Sequence, residues 1–122
     1  MTPQPMNTSG QLTLRCDCGN LEVTASLPEQ VTACNCGICR RYAALWAYYA
    51  PGEVTLRVGE AGVALWQRGD REIEFVRCAR CGCVSHYRTL PGDPEPLIAL
   101  NTRLAEPALT DIPVRQADNA WR

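Results

Sequence analysis

The sequence has no long hydrophobic run, no excess of charge of one sign and only one histidine. Its longest uninterrupted apolar stretch, residues 43–50, is far shorter than the ~20 residues that a transmembrane helix needs. Lys and Arg total 12 against 13 Asp and Glu, and the net charge of −1 gives no electrostatic reason to expect binding to nucleic acid or to an anionic membrane. Any imidazole general base must be His86.

The length of 122 residues and the 46% of hydrophobic residues are ordinary for one globular domain. We expect a flexible leader over residues 1–10, which carries Pro3 and Pro5, and a single zinc-binding domain over residues 11–122. The leader lacks the basic start and apolar centre of a signal peptide. The expected location is therefore the cytoplasm.

Eight cysteines form three groups, which can be read either as four disulfides or as metal ligands. Cysteines two apart on an extended strand lie near the outer limit of the Cα separation that a disulfide tolerates. A chain without an export signal also stays where thiols are reduced. Both points favour metal ligands. The groups are Cys16 and Cys18; Cys34, Cys36 and Cys39; and Cys78, Cys81 and Cys83.

The central group places three thiols within six residues. On an extended backbone Cys34 and Cys36 point the same way, and Gly37 permits a bend that can return Cys39 to the same ion. A tetrahedral zinc held by three thiolates keeps one coordination position free, as catalytic zinc sites do. If Cys83 reached this ion as a fourth ligand, the site would be closed and purely structural.

The third group contains a Cys-x-x-Cys-Gly sequence, which is a usual zinc-knuckle spacing. Cys78 and Cys81 would supply half of a four-thiolate site. Cys16 and Cys18 are the natural donors of the other half. Such a site would join the start of the chain to its middle.

Alternating apolar and polar residues predict an all-β fold of short antiparallel strands and hairpins with metal loops at the strand ends. Residues 40–46 are predicted as a turn followed by a strand, and Gly69-Asp70 as a II′ hairpin turn. Residues 91–96 are predicted as a proline-rich loop, and the chain after residue 100 as an irregular tail. Strands are predicted over residues 11–15, 20–25, 31–33, 54–58, 63–68, 71–77, 84–88 and 97–100.

The chain resembles the glutathione-dependent formaldehyde-activating enzyme family, also called the centromere protein V family. The resemblance rests on Cys-x-Cys-Gly-Asn-Leu, then Cys-x-Cys-x-x-Cys-Arg-Arg-Tyr, then Gly-Asp-Arg-x-Ile-Glu-Phe ahead of Cys-x-x-Cys-Gly-Cys. It extends from Gln11 to the C-terminus. It implies a β-rich fold and an enzyme that condenses formaldehyde with glutathione, classed as a carbon-sulfur lyase. It also implies two zinc ions per chain, a structural one on Cys16, Cys18, Cys78 and Cys81 and a catalytic one on Cys34, Cys36 and Cys39.

Several residues near the cysteines have both a functional and a structural interpretation. Arg40 and Arg41 can offset the charge of the three thiolates or bind a glutathione carboxylate, or they can simply face solvent. Tyr42, with Tyr48 and Trp46, can line an apolar pocket or belong to the core. His86 is predicted as a catalytic residue, although a lone histidine in a strand is often structural.

Three hypotheses of function follow from these residues. The first is a zinc-dependent carbon-sulfur lyase whose partners are a small thiol such as glutathione and a small aldehyde. The second is a non-catalytic, zinc-stabilised binding module. An exchangeable ligand on one zinc favours the enzyme, and two saturated sites favour the module. A dithiol redox enzyme using Cys78 and Cys81 lacks the usual βαβ context, and the near-neutral charge opposes nucleic-acid binding.

Overall fold

A computed structural model describes residues 10–68 and 72–122. The described chain is mostly strand, with one short α-helix, α1 (Gly37–Tyr42), and two single 3-10 turns at Pro51–Glu53 and Thr102–Leu104. The strands are β1 (Gln11–Arg15), β2 (Leu21–Ser26), β3 (Val31–Cys34), β4 (Trp46–Tyr49), β5 (Thr55–Val58), β6 (Val63–Gln67), β7 (Ile73–Cys78), β8 (Val84–Thr89), β9 (Ile98–Asn101) and β10 (Val114–Ala117).

The first sheet contains three antiparallel strands in the order β1-β2-β5. Leu12 pairs with Ala25 and Leu14 with Val23, and all four side chains are buried. The alternation of apolar and polar residues in β1 and β2 therefore gives this sheet one face against the core and one face toward solvent.

The second sheet contains seven strands in the order β10-β3-β4-β9-β8-β7-β6. Neighbouring strands are antiparallel, except that β10 lies parallel to β3 at the edge of the sheet. Because side chains alternate along a strand, the two faces of the sheet carry different residues.

One face of the second sheet packs on the first sheet, and the other face carries α1. Ala47, Tyr49 and Leu100 lie in the core between the sheets, with Leu12 and Leu14 opposite them. The Tyr49 hydroxyl also donates a hydrogen bond to the Ser26 carbonyl oxygen over 2.6 Å, which joins the two sheets. The face that carries α1 presents a group of aromatic and thiol side chains, namely Cys36, Cys39, Trp46, Phe75 and Tyr87.

The all-β prediction is confirmed, and the predicted strands are present with shifted ends. The turn at Gly69-Asp70 and most of the leader lie outside the described residues. The helix α1 begins at Gly37, earlier than the turn predicted from Arg40, and the strand β4 follows at Trp46. None of the helices within residues 10–68 and 72–122 has the length and apolar composition that a membrane span requires.

The prediction of an irregular tail after residue 100 is wrong. The tail contains β10, whose Ala117 pairs with Cys34 in the parallel register. The sequence of β10, Val-Arg-Gln-Ala, is short and its side chains are largely exposed. Such an edge strand is stabilised by its backbone pairing to β3 and not by an apolar face, so periodicity does not reveal it.

Candidate metal centres and the adjoining cavity

The first cysteine cluster joins the two sheets. Cys16 and Cys18 lie in the β1–β2 hairpin, and Cys78 and Cys81 lie at the β7–β8 turn. All four sulfur atoms lie within 4.8 Å of one another, with Cys16 and Cys18 3.7 Å apart and Cys18 and Cys78 3.5 Å apart. A tetrahedral ion with metal-sulfur bonds of about 2.3 Å needs sulfur separations of about 3.8 Å. The four residues therefore fit one tetrahedral metal ion.

Backbone N–H groups in both turns point at the sulfurs of this cluster. The Leu21 N–H donates to Cys16 Sγ over 3.2 Å, and the N–H groups of Arg80 and Cys81 donate to Cys78 Sγ over 3.3 and 3.4 Å. Burial opposes ionisation of Cys78, but the two N–H donors prevail and lower the pKa of Cys78 to about 6. The loops thus favour the thiolate, which is the form that binds a metal ion.

Asn20 supports the first cluster from a buried position. Its Nδ2 donates to the Gly62 carbonyl oxygen over 2.9 Å and to Cys78 Sγ over 3.4 Å, and its Oδ1 accepts from the Ala61 N–H over 3.1 Å. The sequence alone assigns no role to Asn20. The only available signal was its place directly after the Cys-x-Cys-Gly turn.

Replacing Gly59 with alanine should destabilise the protein by about 1 to 3 kcal/mol. A Cβ on Gly59 would lie 2.6 Å from Asn20 Oδ1 and 3.1 Å from the Asn20 carbonyl oxygen, so Asn20, which donates to Cys78 Sγ, must shift. Gly52→Ala is the matched control, because its Cβ would meet nothing within 4 Å. Denaturant unfolding of both variants tests this, and equal stabilities would contradict it.

The second cluster contains Cys34 at the end of β3, Cys36 at the N-cap of α1 and Cys39 within α1. Their sulfurs lie within 4.8 Å of one another, and the Cys39 N–H donates to Cys36 Sγ over 3.4 Å. No further Cys, His, Asp or Glu of residues 10–68 and 72–122 joins this group. The three residues fit a metal ion that keeps one coordination position free of protein ligands.

The start of α1 brings Cys39 back toward Cys34, and the predicted bend at Gly37 lies one residue earlier. The direction changes at Cys36, which is still extended before the helix begins. A Cβ on Gly37 would lie 3.3 Å from Arg41 Nη1, 3.4 Å from Arg68 Nη2 and 3.5 Å from the Arg122 carbonyl oxygen. The contact with the Arg122 oxygen would be an ordinary van der Waals distance, and the two arginine side-chain ends can shift, so the approach of the last residues does not require a glycine here.

A cavity of about 470 Å³ opens beside the second cluster. The three thiols line one part of it, and Trp46, Phe75 and Tyr87 form an aromatic wall, with Trp46 and Tyr87 ring centroids 4.7 Å apart. Burial raises the pKa of Tyr87 well above its usual range, so its hydroxyl remains a neutral donor. The sequence pointed to Trp46 and Tyr48 as candidate lining residues but did not point to Phe75 or Tyr87.

The buried indole of Trp46 belongs to this wall and interacts with Cys39. Burial raises the pKa of Cys39, and the indole acts in the opposite direction. Its Nε1 makes no hydrogen bond within the described chain, although a buried N–H group normally has a partner. The Trp46 N–H is therefore enclosed beside the Cys39 thiol, whose ionised form it stabilises.

The three predicted substrate-binding residues do not line this cavity. Arg40 is exposed on α1, Arg41 donates through Nη1 to the Gly37 carbonyl oxygen over 2.7 Å, and Tyr42 packs on Phe75 with ring centroids 5.4 Å apart. The arginines that do line it come from other elements, and sequence spacing gave no sign of them. They are Arg68, Arg115 and Arg122.

His86 and Cys83 also lie away from the cavity lining. His86 is 0% exposed in the middle of β8, with Nδ1 2.8 Å from the Ser85 hydroxyl and no partner for Nε2 in the described chain. Tyr87 faces the cavity, so His86 points to the opposite face of the sheet. Cys83 packs beside the first cluster, near Cys81, and does not close the second.

His86 should make the protein less stable in mild acid. Burial, with Arg88 acting in the same direction and Glu74 against it, lowers the pKa of His86 to about 4. A histidine depressed from its unfolded pKa of about 6.5 contributes stability that is complete above that pH and is lost as the pH falls toward 4. Between pH 7 and pH 5 the loss should be about 2 kcal/mol.

This pH effect is tested by measuring the free energy of unfolding of the wild type and of His86→Asn at pH 7 and at pH 5. Acid also protonates the cysteine ligands, but that effect is common to the two proteins. The difference between them should therefore shrink as the pH falls. Parallel pH profiles would show that folding leaves the pKa of His86 unchanged.

The fold and the two centres define a β-rich protein whose cysteine clusters can bind metal ions, one between the sheets and one beside a cavity. Residues 11–109 match the family described as "Glutathione-dependent formaldehyde-activating enzyme", and the chain belongs to that family. A crystal structure of a Rhodobacter sphaeroides protein is similar, with 25% sequence identity and a TM-score of 0.67 over 84% of this chain and 98% of that chain. No curated protein matches the sequence.

Proposed function

We propose that the protein is a zinc-dependent enzyme of the carbon-sulfur lyase type, acting on the adduct of glutathione or a related thiol with formaldehyde or another small aldehyde. The observation that carries the proposal is the position of Cys34, Cys36 and Cys39. Their sulfurs converge beside a cavity, and no fourth protein ligand of the described chain joins them. Family membership supports glutathione-dependent formaldehyde activation in general.

The proposed reaction forms one carbon-sulfur bond. The thiol sulfur gives an electron pair to the aldehyde carbon, and the π pair of the C=O bond moves to oxygen. The thiol proton ends on that oxygen, which yields an S-hydroxyalkyl thioether. In the lyase direction the carbon-sulfur bond breaks, sulfur keeps the electron pair and the hydroxyl proton returns to it. No oxidant or reductant is needed.

The donor sets support zinc at both centres, one ion for each cluster. Cys16, Cys18, Cys78 and Cys81 would hold a structural ion, and Cys34, Cys36 and Cys39 would hold the other. A zinc ion on three thiolates supplies a place for a further sulfur ligand and lowers the pKa of that thiol. Clusters of free thiolates persist in a reducing compartment, so the proposal includes a cytoplasmic location.

The residues of the cavity are suited to holding both reactants. Trp46, Phe75 and Tyr87 exclude water on one side, which strengthens polar interactions with a small aldehyde. The neutral Tyr87 hydroxyl, at the wall of the cavity, is the candidate donor toward the oxygen on which negative charge develops. We assign His86 a structural role, because its side chain points to the other face of the sheet.

The experiment that tests the proposal combines cobalt substitution with a rate measurement. Adding glutathione to the cobalt-loaded protein should change the absorption bands of the ion at the three-cysteine cluster. Formaldehyde consumption should also exceed the uncatalysed background. The Cys39→Ser variant is the control, and it should lose both responses. Absence of both responses in the wild type would favour a zinc-stabilised binding module.

A further inference from the structure

The charged side chains that line the cavity, apart from the thiols, are arginines. Arg68, Arg115 and Arg122 line it, and no Asp or Glu is found among its described lining residues. Outside the lining, Glu72 lies 3.9 Å from Arg122 and offsets part of that charge. A positive rim with an apolar floor attracts an anionic ligand that has an apolar or thiol portion.

Two of these arginines come from the C-terminal segment, residues 114–122, which is fixed against the second cluster. Asn119 donates through its N–H to Asn35 Oδ1 over 2.6 Å and through Nδ2 to Cys34 Sγ over 3.5 Å. The Gly37 N–H donates to the Arg122 carbonyl oxygen over 3.4 Å. Because β10 also pairs with β3, the segment holds its arginines at a set position relative to the three thiols.

Arg115 is the arginine of this rim whose side chain is most available. Arg115 makes no hydrogen bond or ion pair with the described residues. Arg68, in contrast, donates through Nη2 to the Arg122 carbonyl oxygen over 3.4 Å. A guanidinium group presents paired N–H donors that match the two oxygens of a carboxylate. Arg115 and Arg68 can therefore receive a carboxylate from within the cavity.

We propose that the C-terminal segment 114–122, together with Arg68, forms a carboxylate-binding subsite that selects thiols carrying a carboxylate at a distance from the sulfur. The inference rests on the proposed function, since it takes the thiol end of the substrate to lie at Cys34, Cys36 and Cys39. The family match ends at residue 109, so the family does not specify this segment. Selectivity for the thiol thus depends in part on a segment outside that match, with Arg68 contributed from within it.

The test is equilibrium binding of two thiols to the metal-loaded protein. Glutathione has two free carboxylates, and its diethyl ester has none but keeps the same thiol. Arg115→Gln should weaken glutathione binding roughly tenfold, as expected for a charge-assisted hydrogen bond, and should leave binding of the diester nearly unchanged. Arg68→Gln is a second, independent variant with the same expected pattern. Arg57→Gln is the matched control, because Arg57 lies on β5 in the other sheet and is exposed there.

The possible results distinguish a failure of the proposed subsite from a failure of the proposed reaction. Equal effects of Arg115→Gln and Arg68→Gln on both thiols, or no effect on either, would overturn the subsite, even if formaldehyde consumption remained accelerated. Selective weakening of glutathione without acceleration of formaldehyde consumption would support the subsite and contradict the proposed reaction. A loss of glutathione binding in Arg57→Gln equal to that in Arg115→Gln would show only a general effect of charge and would also overturn the subsite.

Discussion

Replacing Cys81 with serine should unfold the protein, whereas replacing Cys39 should leave it folded. Cys81 belongs to the cluster that joins the β1–β2 hairpin to the β7–β8 turn, across a separation of 60 residues between Cys18 and Cys78. A structural zinc contributes about 10 to 16 kcal/mol in small domains, and a whole domain is stable by only about 5 to 15 kcal/mol. Losing much of the zinc contribution can therefore remove the whole free energy of unfolding.

Cys39 is expected to matter less for folding because its cluster is local. Cys34, Cys36 and Cys39 all lie within one strand end and the first turns of α1. A metal ion there fixes few residues that the sheets do not already hold. Cys83→Ser is the matched control for Cys81→Ser, since Cys83 packs beside the same cluster without belonging to it. Thermal melts of the three variants test the order, and a lower melting temperature for Cys39→Ser than for Cys81→Ser would contradict the assignment of structural and catalytic centres.

The cysteine groups could be predicted from sequence because metal ligation imposes short, regular spacings. The structure brings Cys16 and Cys18 to Cys78 and Cys81, as the knuckle spacing and the family resemblance both indicated. The strands of the first sheet could also be predicted, because Leu12, Leu14, Val23 and Ala25 alternate with polar residues. In both cases a local pattern carries the information.

The lining of the cavity could not be predicted in the same way, because it is assembled from distant parts of the chain. The doublet Arg40-Arg41 is close to Cys39 in sequence, but neither side chain lines the cavity. Arg115 reaches the site through the parallel pairing of β10 with β3, a long-range contact that leaves no periodic signal. His86 is polar in type, yet its position in β8 places it on the core face.

Chelation should remove the two metal ions in two separate steps. In the proposed arrangement four thiolates would enclose the ion of the first cluster, where backbone N–H groups donate to Cys16 and Cys78 from the surrounding turns. The second cluster offers three thiolates and borders an open cavity, where a chelator can occupy the remaining coordination position. The ion beside the cavity should therefore leave first, while the sheets remain folded.

The measurement is metal release during titration with a chelator, followed together with circular dichroism of the same sample. The ion beside the cavity should be released first, without loss of the β signal. The ion of the four-cysteine cluster should be released later and together with unfolding, because that cluster joins the two sheets. Cys39→Ser should show only the second step. Release of both ions in one step, or one zinc per fully folded wild-type chain, would contradict two centres of unequal affinity and would remove the basis for an open catalytic zinc at Cys34, Cys36 and Cys39.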